Sequence, residues 1–179
     1  MKKLLFLFYL GFVYPTFSQD YDKYELASPD PKMNIGLGLG LDYGGLGGRI
    51  TFLPVKKIGI FGAIGYALVD FGYNVGASVR ITPDNKICPT VAFMYGYNGV
   101  INVKNAAKFD KIYYGTSLAA GLEIHFRAKP NFLNVELVVP FRSSTFHDDW
   151  DKLKQMSNIV VESEPLPVTI SIGYHFAFK

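Results

Sequence analysis

The 179-residue sequence is short of cysteine, of charge and of long apolar runs, and each shortage removes a class of protein. The single cysteine, Cys88, forms no internal disulfide, and none stands near the chain start to carry a lipid. Flanked by Ile87 and Pro89, it reads as apolar packing rather than a reactive thiol. Charged residues make up 18% of the chain and the formal net charge is +3, so no nucleic-acid partner is implied. Past the leader, no stretch reaches the roughly eighteen unbroken apolar residues of a membrane-crossing helix. What is plentiful is Gly, Tyr and Phe, and these fall in a period-two pattern.

The first twenty residues, "MKKLLFLFYLGFVYPTFSQD", have the parts of an export signal. Lys2 and Lys3 form a positive end, Leu4 to Tyr14 an apolar run, and Thr16 and Ser18 precede an expected cut before Gln19. Residues 1–18 are thus expected to be a removed signal peptide. Residues 19–33 form a polar leader with two prolines, read as periplasmic. Residues 34–179 carry the fold.

That remainder alternates large and small residues eight times, predicting strands at Asn34–Tyr43, Gly48–Leu53, Ile58–Leu68, Tyr73–Thr82, Ile87–Tyr97, Tyr113–Phe126, Phe132–Phe141 and Leu166–Phe178. In "MNIGLGLGLDYGG", Ile35, Leu37, Leu39 and Leu41 face one way and Gly36, Gly38 and Gly40 the other. The spacing is not G-x-G-x-x-G and no helical period follows Gly48, which excludes a dinucleotide-binding loop. The second, fourth and sixth joins, "PVKK", "PDNK" and "RAKPN", are short, whereas 98–112 and 142–165 are long. Tight turns at one end and long loops at the other describe an up-and-down antiparallel meander.

The large residues always share a face. In Tyr73–Thr82, Tyr73, Val75, Ala77, Val79 and Ile81 oppose Asn74, Gly76, Ser78, Arg80 and Thr82. Eight strands enclose an interior just wide enough to be filled by side chains, so the small and polar face belongs inside and the apolar face towards lipid. Leu39, Val79, Val91 and Leu122 are expected to touch acyl chains. Along that face Tyr43, Tyr66, Tyr73, Tyr95, Tyr97 and Tyr114 fall at the long-loop end, and Phe52, Phe126, Phe176 and Phe178 at the short-turn end. An apolar band between two aromatic girdles is what a bilayer with two interfaces selects. The expected fold class is all-β: an eight-stranded antiparallel up-and-down transmembrane β-barrel.

The export signal, the eight alternating strands and the aromatic-rich close "LPVTISIGYHFAFK" resemble the small Gram-negative outer-membrane barrels of the OmpA/OmpX-like class. The resemblance implies an outer-membrane location and contact with outer-membrane lipid and lipopolysaccharide. It also implies an extracellular or envelope protein partner reached through loops 98–112 and 142–165. Members include envelope anchors, adhesins, protective surface proteins and lipid-modifying enzymes, and fold alone does not choose among them. A peptidoglycan-binding anchor would carry a further soluble domain, and a porin more strands. A non-enzymatic structural or surface role is therefore the expectation, with a lipid A deacylase or acyltransferase as the alternative.

The candidate chemistry is sparse. His147, Asp148 and Asp149 with Ser143 and Ser144 are the elements of an acyl-transfer set, but they crowd one loop with no strand to fix their geometry, and read as solvated. In the same loop Asp148 or Asp149 is the expected N-cap of a short helix carrying Trp150, Leu153 and Met156. Lys104, Lys108 and Lys111 in the other long loop would suit anionic headgroups, with a solvated charged loop as the default reading. His125 and His175 point inward by parity. A first turn centred between Gly45 and Leu46 sets Asp42 opposite Arg49 and Leu41 opposite Ile50. A turn near Lys129 sets Glu123 opposite Glu136, with Arg80 expected to hold both acids and His125 at the edge of the cluster. No catalytic residue, metal or cofactor is assigned.

Overall fold

A computed structural model of the chain describes residues 31–101, 110–126, 130–156 and 166–178. The expected signal peptide and most of the leader lie outside them, as do Lys104 and Lys108. Eight strands form one closed antiparallel barrel: β1 Met33–Gly40, β2 Gly45–Val55, β3 Ile58–Tyr66, β4 Phe71–Arg80, β5 Ile87–Ile101, β6 Lys111–His125, β7 Phe132–Pro140 and β8 Thr169–Phe178. Each strand pairs with its sequence neighbour, and β8 closes on β1, for example Leu37 opposite Tyr174. Closure removes every sheet edge, so the backbone bonds of all eight strands are met within the wall.

Alternation decides the two faces. Leu39, Val79, Val91 and Leu122 lie outside, between 42% and 58% exposed. Arg49, Asn74, Arg80, Glu123, Glu136 and His175 are buried inside. Eight of the ten expected girdle aromatics are exposed: Tyr66, Tyr73, Tyr95, Tyr114, Phe52, Phe126, Phe176 and Phe178. Tyr43 and Tyr97 are not; both are interior. The bulge between Tyr97 and Gly99 breaks the period of two, and Tyr97 joins the inner apolar cluster of Leu41, Phe61 and Met94. Asn98, expected to open a loop, is buried in β5, and its amide donates to Thr116 O at 2.8 Å.

The first connection departs most from expectation. β1 ends at Gly40, and Leu41–Tyr43 turn as a 3-10 helix that folds into the barrel, touching six of its eight strands. Gly40 at φ 143° and Gly44 at φ 72° make the inward bend, in backbone regions side chains avoid. The turn therefore centres on Asp42 and Tyr43, and Ile50 faces Ile35, not Leu41. The inner glycines of β1 leave room for this plug: a Cβ on Gly38 would lie 2.7 Å from the Tyr43 ring.

The sixth connection also shifts the pairing. Gly121 faces Glu136 and Glu123 faces Asn134, so the two glutamates are not opposite. Moving a turn centre by one residue moves every facing pair by two, which changes partners but keeps each side chain on its face.

Beyond the barrel mouth, α1 (Ser144–Gln155) packs on the extended β5–β6 hairpin. Its N-cap is Ser143, whose Oγ accepts from Phe146 N, so Asp148 and Asp149 lie within the helix instead of starting it. Ile101, Tyr113, Phe146 and Leu153 form a separate apolar cluster there, with Trp150 against it.

Candidate functional site

The interior polar residues sort into two layers. In the upper layer the plug brings Asp42 to Arg49, whose Nη1 donates to Asp42 Oδ2 at 2.9 Å and to Glu136 Oε2 at 3.4 Å. The guanidinium also sits 3.7 Å above the Phe61 ring, so one of its faces meets π density. Asp42 and Arg49 thus meet across the lumen without being paired on adjacent strands. The 3-10 turn, not the hairpin register, delivers the carboxylate.

The same turn places Tyr43 Oη 2.6 Å from His175 Nε2, while His175 Nδ1 lies 2.8 Å from Asn34 Oδ1. An amide oxygen only accepts, so Nδ1 carries the proton and Nε2 accepts from Tyr43. The imidazole is stacked on Phe132 at 4.7 Å, which fixes its plane. Asn74 Nδ2 ties the plug backbone down by donating to Leu41 O at 2.5 Å. His175 is thus a fully engaged wedge between β1, β8 and the plug.

In the lower layer, towards the short turns, Arg80 Nε donates to Glu123 Oε2 at 2.8 Å and Nη1 donates to Lys56 O at 3.2 Å. His125 Nε2 is 3.3 Å from Arg80 Nη2 and 3.4 Å from Glu123 Oε2. One ring nitrogen cannot accept from the first and donate to the second at once, so it serves only one of them. The expected cluster of Arg80, Glu123, Glu136 and His125 is therefore split: Glu136 belongs to Arg49. Asn34, Arg80, His125 and Phe132 line a recess of about 20 Å³ at this mouth, enough for about one water and far below a substrate's size.

At the other end, the elements of the acyl-transfer set are held apart. Ser143 caps α1, the His147 ring stands edge-on to Phe146, and Asp149 accepts from Lys111 Nζ at 2.7 Å and Tyr113 Oη at 2.8 Å. Those two donors, Lys111 first, hold the Asp149 carboxyl below its ordinary range. Arg142 crosses over Phe146 at 5.1 Å and donates to Leu166 O at 2.7 Å, bridging the start of α1 to the approach of β8. Among the described residues no side chain of the set hydrogen-bonds another side chain of it; the one tie is backbone, His147 N donating to Ser143 O at 3.3 Å at the start of α1. These contacts build a small folded headpiece from what reads in sequence as two loops.

Among the described residues no group of three His, Cys, Asp or Glu side chains could hold a metal ion. No described helix is long and apolar enough to cross a membrane, which leaves open crossing by strands. No family model and no curated protein matches the chain.

Proposed function

We propose that this chain is a non-enzymatic outer-membrane barrel of the OmpA/OmpX-like kind, with an envelope-structural or surface-interaction role. It would be exported by its N-terminal signal and would present its headpiece outside the cell. The observation that carries the reading is the inverted barrel. Charged side chains fill the lumen, and the outside is a belt of exposed Leu, Ile, Val and Phe, including Leu37 at 63%, Ile64 at 63% and Ile170 at 69%. A water-soluble protein does not leave so much contiguous apolar surface uncovered. Exposed Tyr66, Tyr73 and Tyr114 near one rim and Phe52, Phe126 and Phe178 near the other support two membrane interfaces.

The lumen supports no pore. The plug and the two charge layers fill it, and the recess at its mouth is water-sized. The headpiece supports a surface role, because among the described residues it is a folded structure that stands outside the barrel wall. Against the lipid-modifying alternative stand the separate engagements of Ser143, His147 and Asp149.

Cell fractionation should place the protein in the outer membrane, with a gel mobility that changes on boiling. Leu39→Arg should cost about 2–4 kcal/mol of bilayer stability if that position lies near the midplane. Recovery in the soluble fraction, or full tolerance of arginine at Leu39, would overturn the membrane reading. Lipid A mass spectra from a deletion strain should match the parent. Altered acylation would return the enzymatic alternative.

A further inference from the structure

The two ends of the barrel carry their cations differently. At the headpiece end each described lysine has a nearby carboxylate: Lys111 and Lys152 lie 2.7 Å and 3.7 Å from Asp149, and Lys154 lies 3.8 Å from Asp151. At the short-turn end Lys56 meets Asp84 at 3.2 Å, but the exposed Lys32, Lys57 and Lys86 have no carboxylate within 4.0 Å among the described residues. Among the described residues, three ammonium groups thus stand without a carboxylate partner around this mouth.

The backbone that carries them is fixed in place. Lys32 N donates to Phe178 O at 3.1 Å and Lys32 O accepts from Leu53 N at 2.7 Å. Lys57 O accepts from Arg80 N and Lys86 O from His125 N, both at 2.8 Å. The backbone of each lysine is therefore part of the barrel's own hydrogen bonding. Next to them along the wall are exposed apolar side chains: Phe52, Val55 and Ile58 on the β2–β3 hairpin, and Ile81 and Ile87 flanking the fourth connection. Cations beside exposed apolar side chains at one mouth match one surface, an acyl layer capped by phosphates, because a lysine stem lies along the apolar part while its ammonium reaches the headgroup. An acidic protein would satisfy the cations but leave the apolar side chains unexplained.

We propose that the short-turn end is a docking collar for anionic phospholipid headgroups, with Lys32, Lys57 and Lys86 as its cationic contacts. The inference rests on the membrane-spanning reading above and adds to it which lipid one end selects. The collar concentrates anionic lipid around that mouth and so sets the level of the barrel in its leaflet.

The test uses the full chain folded into mixed bilayers of phosphatidylglycerol and phosphatidylcholine, with native mass spectrometry counting the lipids that remain bound. Phosphatidylglycerol should be retained preferentially at low ionic strength. The preference should fall by about five-fold for each lysine removed in Lys32→Gln, Lys57→Gln and Lys86→Gln. Replacing the three by Arg should keep it, and Lys152→Gln with Lys154→Gln should leave it unchanged. Equal retention of the two lipids by the parent, or an unchanged preference in the triple Gln variant, overturns the collar while leaving the membrane reading in place. A chain that inserts into neither bilayer overturns both.

Discussion

The two charge layers of the lumen solve one problem in opposite ways. Below, Arg80 and Glu123 form a balanced pair, 7% and 11% exposed, beside a recess that water can reach. Above, Arg49 faces two carboxylates, and the three side chains are between 0% and 4% exposed, sealed by the plug. A balanced pair near water needs little help from its surroundings. An excess acid away from water needs a guanidinium that reaches both carboxylates, a ring beneath it and a backbone turn that brings one acid to it. The lower layer is a salt bridge at a mouth, whereas the upper layer exists only because the chain folds back into its own barrel.

That contrast breaks most visibly at Arg49. Arg49→Met would leave Asp42 and Glu136 buried without a cation and should cost about 3–5 kcal/mol. The folded fraction, followed by boiling-sensitive gel mobility across a urea series, reports it. Adding Asp42→Asn and Glu136→Gln should recover a good part of the loss. A triple variant no more stable than the single one would mean that the upper layer is not held by charge.

The lower layer should respond more mildly and independently. Arg80→Met should cost about 2 kcal/mol, because Glu123 stays near water and His125 remains beside it. Glu123→Gln should rescue that variant and Glu136→Gln should not, since Glu136 bonds Arg49 in the other layer. Rescue by Glu136→Gln would join the layers into the single cluster that the sequence alone suggests.

Why the sequence suggests one cluster is instructive. Which side chains point inward follows from a period of two, and that period survives any shift of register by an even number of residues. Hence Arg49, Arg80, Glu123, Glu136 and His175 were all legible as interior. Their partners depend on where each turn is centred, and "LDYGGLGG" offers two glycine pairs at which a hairpin could reverse. Alternation also continues through Leu41 and Tyr43 as if the strand did, so Tyr43 reads as a girdle residue. Only the backbone at Gly40 and Gly44 turns it inward. Tyr97 misleads for the same reason, since a bulge leaves no mark in a pattern of large and small residues. The start of α1 was closer to legible: a serine three residues before Phe146 is a cap signal, but the aspartates nearer Trp150 offer a competing one.

The finest test of the comparison is a single oxygen. If the plug is held by charge alone, Tyr43→Phe changes nothing, because Asp42 and Arg49 remain. The geometry argues otherwise: without Tyr43 Oη, the Nε2 lone pair of His175 is buried with no donor, while Nδ1 still bonds Asn34 and Phe132 still blocks the ring from turning away. A buried acceptor left unpaired costs about 1–3 kcal/mol. Tyr97→Phe, in the apolar cluster, removes no side-chain hydrogen bond seen among the described residues and should cost less. Replacing His175 by Phe in the Tyr43→Phe background removes the orphaned nitrogen, and that double variant should regain stability over the single one. If Tyr43→Phe and Tyr97→Phe unfold at the same urea concentration, the plug is pinned by Asp42 and Arg49 alone.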